Sequence, residues 1–249
     1  MPPSFPAKDF RAFGTAASAF FPSLMSDGAL YDSQEKKTQF DWSWQAVRYR
    51  YRTCVECNDE FKSLLANASE MWLAGWGDEE LTYKLEHCIY LFFMSGLSVF
   101  DSFAFCLYFL GHAIQPEAFP KVANPRDITR KTTSEGFEKA FPQAVITGLL
   151  GRLSDDARFM TICTVRNLVG HRISGRRSVH SSARVDADGI YTTEWHEERW
   201  HLPGAAGQKL IFGEELLQCR LNDITDLLTP LTSAARVFVE NLRVPKVKP

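Results

Sequence analysis

The chain lacks the marks of several large protein classes. It has no excess of basic charge: 28 Lys and Arg face 30 Asp and Glu, a net charge of −2 over 249 residues. A protein that coats nucleic acid over its whole surface needs the opposite balance, so only a local basic cleft stays open to it. It has one CxxC, Cys54-Val55-Glu56-Cys57, and no second pair at zinc-site spacing. His196-Glu197-Glu198-Arg199-Trp200 fails as a zinc-protease motif because Trp stands where the second His belongs. Gly204-Ala205-Ala206-Gly207-Gln208-Lys209 lacks the spacing and the Ser or Thr of a phosphate loop. Internal repeats and low-complexity tracts are absent. Met1-Pro2-Pro3-Ser4-Phe5-Pro6 has no apolar core, so no secretion signal is expected. Most of the six cysteines fall at apolar helical positions and read as free thiols in a reducing cytoplasm.

What is present is helical. At 45% hydrophobic and 23% charged the composition is that of an ordinary globular domain, and 19 Phe with six Trp promise an aromatic core. A short helix is expected near 7–21, followed by loop through the polar run Asp32–Lys37. A long helix is expected from Trp44, with the line Trp44, Val47, Tyr51, Cys54, Asn58, Phe61, Leu65, Ala68, Trp72 alternating steps of three and four. Asn58 is its one polar member and reads as a core amide with a partner. Arg48, Arg50 and Arg52 read as a solvated face that could widen a basic cleft. Gly75 and Gly77 are expected to end this helix.

Asp78-Glu79-Glu80 opens the next helix, which runs to about His112 and is the most apolar stretch of the chain. Asp101 and a small-residue stripe interrupt it, so it reads as a central bundle helix rather than a membrane span, with Asp101 a satisfied core residue facing, as one option, Arg166. A proline-bearing loop is expected over 113–131. A helix over 133–150 should kink or split at Pro142. Ser154-Asp155-Asp156 signals a further helix continuing to Gly175. Over 176–212 the pattern changes: strands at 181–185 and 190–195, extending towards Leu202, flank the turn Asp186-Ala187-Asp188-Gly189 and predict an inserted β-hairpin. The last helix, 213–242, carries Leu217, Leu221, Ile224, Leu228, Leu231, Ala235, Phe238 and Leu242, with Pro230 bending it. The expected fold is therefore all-α: a bundle of four to five main helices with a β-hairpin before the last one. An N-terminal extension covers 1–40 and the helical domain 41–249.

One segment carries chemistry: Val165-Arg166-Asn167-Leu168-Val169-Gly170-His171-Arg172, at the end of a helix. An Arg separated by four residues from a helix-terminal His, with Asn directly after the Arg, resembles the active-site motif of the HEPN superfamily, all-helical domains that often cleave RNA. The residue types suit such a reaction. Cleavage by the ribose 2′-OH needs a proton carrier that titrates near neutrality, which His171 supplies. It needs a fixed cation against the phosphoryl oxygens, which Arg166 supplies as a planar fork. Asn167 can orient the imidazole or donate to phosphate. Arg172, Arg176 and Arg177 follow as candidate substrate contacts, with Trp195 and Trp200 as stacking surfaces.

The resemblance implies an endoribonuclease that needs no metal and no cofactor, of the kind supplied to toxin–antitoxin or phage-defence systems. RNA would be its substrate, and an antitoxin or regulatory protein a partner. It also implies a homodimer with two motif copies across one cleft. Helix geometry points the same way, because Arg166 and His171 stand about 140° apart around a single helix axis. A plainer reading stays open. Arg and His favour the negative end of any helix dipole, and the chain could be a non-catalytic helical module that binds nucleotide, RNA or a protein partner.

Overall fold

A computed structural model describes residues 7–24, 30–66, 78–171, 176–185, 191–203, 209–212 and 216–243; the side chains of His171 and of the strands are not described. Most of these residues are helical. The helices are α1 (Ala7–Phe20), α2 (Leu30–Ala66), α3 (Asp78–Ile114), α4 (Arg130–Ala140), α5 (Val145–Leu153), α6 (Ala157–His171) and α7 (Leu216–Arg243). The strands are β1 (Arg176–Val185), β2 (Tyr191–Pro203) and β3 (Lys209–Phe212). The chain divides into two compact units, one of residues 1–52, 96–160 and 223–249, the other of 53–95 and 161–222.

The first unit is built on aromatic rings. Phe10 of α1 stacks on Trp44 of α2 at 4.2 Å between centroids, and Phe13 meets Trp44, Phe40 and Phe103 at 5.1, 5.8 and 5.9 Å. Gly14 allows this approach, since a Cβ there would lie 2.3 Å from the Trp44 indole nitrogen. The cluster explains why α2 begins at Leu30 rather than Trp44. Phe40 is fully buried and extends the apolar seam one step towards the N-terminus. The polar run that reads as loop is carried as helix, with Lys37 bonded to Asp41 at i,i+4 and the Thr38 hydroxyl donating to the Gln34 carbonyl. A second cluster centres on Phe119, edge-on to Tyr108 at 5.2 Å and to Phe137 at 5.4 Å. It holds down the stretch expected as open loop, which is folded into three single 3₁₀ turns. The buried His112 Nδ1 lies 2.8 Å from the Phe119 carbonyl, and the Lys121 amide donates to the Tyr108 hydroxyl. The helix expected over 133–150 divides around Pro142 into α4 and α5. The Phe141 carbonyl at the break accepts from the Ala144 amide at 3.0 Å and from the Thr147 hydroxyl at 2.7 Å.

Asp101 is not a core residue. Its side chain is about half exposed, and its oxygen lies 3.4 Å from Arg130 Nε. The Arg130 guanidinium in turn lies 4.6 Å over the Phe159 ring, which fixes it in place. Among the described residues one helix, Glu79–Ile114, is long and apolar enough to cross a membrane; its most apolar 18-residue stretch has mean hydropathy 1.6 and is 61% buried, as in a core helix. α7 continues through Pro230 as one helix of 28 residues.

In the second unit the buried side chains include Cys54, Phe61, Leu85, Cys88, Phe92, Ile162, Val165, Leu217 and Leu221. Asn58 does find a partner, donating its amide to Gln218 Oε1 at 3.1 Å, while its own oxygen is buried without one. α2 ends at Ala66, and the expected helix end at Gly75 and Gly77, with Ala68 and Trp72, lies outside the described residues. Burial of the thiols is uneven: Cys54, Cys57, Cys88 and Cys106 are buried, Cys163 is half-buried, and Cys219 is exposed. Burial pushes the Cys54 thiol far above its ordinary value. It pushes Cys57 up to about 11 and Cys88 to about 12, with Glu60 adding to both. Thiols held protonated in this way are poor nucleophiles.

A simple two-stranded insertion is not what residues 176–212 form. β1 begins at Arg176, five residues before the predicted start, and a third strand adds to β2, giving an antiparallel sheet in the order β1-β2-β3. The β1–β2 register pairs Arg176 with His201 and Arg177 with Trp200, and shifts between His180 and Ser181. The predicted turn at 186–189 lies outside the described residues.

Candidate functional site

The candidate site is the C-terminal end of α6, and its residues are placed by how that helix starts and packs. Asp156 caps the N-terminus. Its Oδ1 accepts from the Arg158 amide at 2.9 Å, and its carboxylate takes a forked pair of bonds from the Arg158 guanidinium at 3.1 and 2.8 Å. The Arg158 hydrogen bonds hold the Asp156 carboxyl down, from 3.8 to about 2. From this cap, Phe159, Ile162 and Val165 recur at intervals of three on the buried side. That spacing leaves Arg166 half-buried and Asn167 exposed, one turn before His171, the last described residue of α6.

The two polar residues are coupled. Arg166 Nη1 donates to Asn167 Oδ1 at 3.1 Å. With its oxygen engaged by the guanidinium, Asn167 has its amide N–H groups left to point at an acceptor, either an imidazole nitrogen or a phosphate oxygen. Gly170 fixes how closely this end of the helix approaches α3. A Cβ there would stand 3.2 Å from Met94 Sδ, so any side chain would force Met94 to move.

Of the sequence-predicted residues, the structure brings Arg166 and Asn167 into direct contact and makes His171 the last described residue of α6. Arg172, with 173–175, falls outside the described residues, so the expected continuation of the helix to Gly175 does too. Arg176 and Arg177 open β1, five and six residues after His171. Their backbone partners on β2, His201 and Trp200, are aromatic residues distant in sequence, brought to the same end of the β1–β2 ladder by the register.

Sequence reasoning missed the aromatic face of α3. Tyr83, His87 and Tyr90 are exposed, and the Tyr83 and His87 rings lie 5.9 Å apart and nearly parallel. With Met94 they follow i, i+4, i+7, i+11, one stripe that ends beneath Gly170. The spacing was the available signal, but the strong apolarity of the helix masks it. The first unit also holds an open cavity of about 400 Å³, lined among others by Phe100, Phe103, Arg130, Lys131, Glu135 and Leu150; no motif residue lines it. Among the described residues no group of three or more His, Cys, Asp and Glu is placed to hold a metal ion.

No protein-family model matches this chain, and neither a curated protein nor a solved structure is similar to it.

Proposed function

We propose that the protein is a HEPN-like endoribonuclease, acting in a helical bundle on RNA and serving as a toxin or defence effector. The observation that carries this reading lies in the last described turns of α6: a half-buried Arg166 bonded to an exposed Asn167, one turn before His171. In this reading the ribose 2′-OH attacks the neighbouring phosphorus and the P–O5′ bond breaks. The products are a 2′,3′-cyclic phosphate and a 5′-OH. His171 moves the proton, Arg166 neutralises charge building on the phosphoryl oxygens, and Asn167, steadied by Arg166, holds the imidazole or the phosphate in line. Arg172, Arg176 and Arg177 meet the flanking phosphates. None of these steps draws on a metal or a cofactor.

The test is substitution. His171→Ala and Arg166→Ala should each lower RNA cleavage by about 10²–10⁴-fold with folding intact, the usual loss for a general acid–base group. Cleavage at the wild-type rate by either folded variant contradicts the assignment.

One observation favours a second reading. The Arg166–Asn167 bond uses part of the guanidinium's donor set within its own helix, as a purely structural helix end would. The protein would then be a non-catalytic helical module that binds nucleotide, RNA or a protein partner, and RNA would remain intact.

A further inference from the structure

We propose that the open cavity of the first unit is a binding site for a small organic cation, an amine carried on an apolar body, separate from the motif and independent of any cleavage. About 400 Å³ of space is lined there by α3, α4 and α5, within the range of small-molecule sites. Its floor is apolar, with Phe100 and Phe103 from α3 and Leu150 and Leu153 from α5. The α4 wall is polar. Arg130, Ser134 and Glu138 follow i, i+4, i+8, so they fall within an arc of about 80° and step along the cavity at about 6 Å. Gly151 points to a space that is kept open rather than left over. It lies inside α5, where glycine weakens a helix relative to alanine. Packing does not require it. The nearest atom to an added Cβ would be Ser134 Oγ at 4.0 Å, an ordinary contact, whereas a Cβ at Gly111 or Gly136 would strike Phe119. A longer side chain at position 151 would enter the cavity.

Charge decides what fits. Of the four charged residues on the described lining, three are balanced at close range. Arg130 Nε lies 3.4 Å from Asp101, its Nη1 is buried, and its guanidinium covers Phe159. Lys131 lies 3.8 Å from Glu135. Glu138 has no ion pair among the described residues. Two nearby cations turn elsewhere: Lys139 donates to the Glu117 carbonyl at 3.3 Å, and Arg152 Nε to the Gly148 carbonyl at 3.1 Å. Glu138 also stands in the last turn of α4, the negative end of the helix dipole, which disfavours an acid and favours a cation. A bound amine therefore meets the carboxylate, the dipole and, one turn back, the Ser134 hydroxyl as an acceptor, while its apolar body covers the floor. An anion would face Glu138 uncompensated, and a neutral molecule would leave it unused.

The test titrates the full chain with phenethylamine, followed by ligand-observed NMR, beside its neutral and anionic counterparts phenethyl alcohol and 3-phenylpropionate. The amine should bind with a Kd of about 1 mM, the range open to so small a molecule. Both counterparts should bind more weakly. Glu138→Gln should weaken the amine about fivefold, the scale of one solvent-exposed charge pair, and leave the alcohol unaffected. Gly151→Leu, which fills the space, should abolish binding with circular dichroism unchanged. Gly151→Ala should raise the thermal midpoint, since the helix gains and the added methyl has room. Four outcomes overturn the proposal: no saturable binding by the wild type, 3-phenylpropionate bound as tightly as the amine, undiminished amine binding by Glu138→Gln or by folded Gly151→Leu, or a lowered midpoint for Gly151→Ala. Should Gly151→Leu fail to fold, Glu138→Gln decides, because its side chain is exposed. His171→Ala should bind the amine like the wild type, so loss of cleavage and loss of amine binding are read separately.

Discussion

Asp156 and Arg166 do different work at opposite ends of α6, and each supports a prediction. The folded Asp156 carboxyl lies at about 2, below its ordinary 3.8, because Arg158 bonds its ionised form. A depressed carboxyl contributes stability that is fully present above about pH 4 and is lost as pH falls through the folded value. Asp156→Ala should therefore cost about 1 kcal/mol near neutrality, as loss of a helix cap does. The difference from wild type should shrink between pH 4 and pH 2 in urea melts; a difference constant across that window would show that the Arg158 bonds contribute nothing. At the other end, Arg166→Lys keeps the charge and loses the planar fork that reaches Asn167. Cleavage should fall well below wild type, and a lysine variant of full activity would mean that charge alone suffices. The identity of these residues was legible in the sequence because side-chain chemistry and spacing are properties of the chain. Their coupling was not: neighbours in sequence point about 100° apart on a helix, and only the side-chain path of Arg166 brings its guanidinium round to Asn167.

At the scale of elements, close packing on Phe119 makes the sharpest demand. Added Cβ atoms at Gly111 and Gly136 would each lie 2.4 Å from its ring, on opposite helices α3 and α4. Gly136→Ala should destabilise by about 1–3 kcal/mol through overpacking, and Phe119→Ala by about 3–5 kcal/mol through the cavity it opens. A chemical melt measures both; an unchanged midpoint for Gly136→Ala would show that the ring moves aside freely. The helices themselves were largely readable, because period and turn residues mark them locally. Failures came where a distant contact decides. The start of α2 depends on Phe40 meeting Phe13 and Phe21, rings from another helix and a 3₁₀ turn. Asp101 reads as buried from its apolar neighbours, yet the helix rotation turns it outward to Arg130. The third strand, only Lys209–Phe212, is too short to announce itself without the edge of β2 to pair with.

For the whole molecule the proposal favours two chains. Arg166 and His171 stand about 140° apart around one helix axis, a gap that a long Arg side chain could bridge but that a two-fold dimer with its motif helices facing each other would close better. Light scattering at micromolar concentration should give about twice the 28.3 kDa of one chain. Mixing inactive Arg166→Ala and His171→Ala proteins should restore part of the activity through heterodimers. A monomer, or a mixture with no recovered activity, argues that each copy stands alone. Assembly was the level least legible in the chain. A dimer interface and a monomer's solvated face draw on the same residue types, and the Phe-rich helices that could have supplied the apolar area are taken up by the core.

The central claim is that His171 and Arg166 cleave RNA without a metal. Purified protein incubated with mixed RNA in EDTA, beside His171→Ala, tests it most directly, with the 3′ ends of the fragments analysed chemically. The account predicts fragments ending in a 2′,3′-cyclic phosphate, or its opened form, with 5′-OH partners, and intact RNA with the variant. RNA left intact by the wild type, cleavage that appears only with Mg²⁺, or equal cleavage by His171→Ala would contradict it.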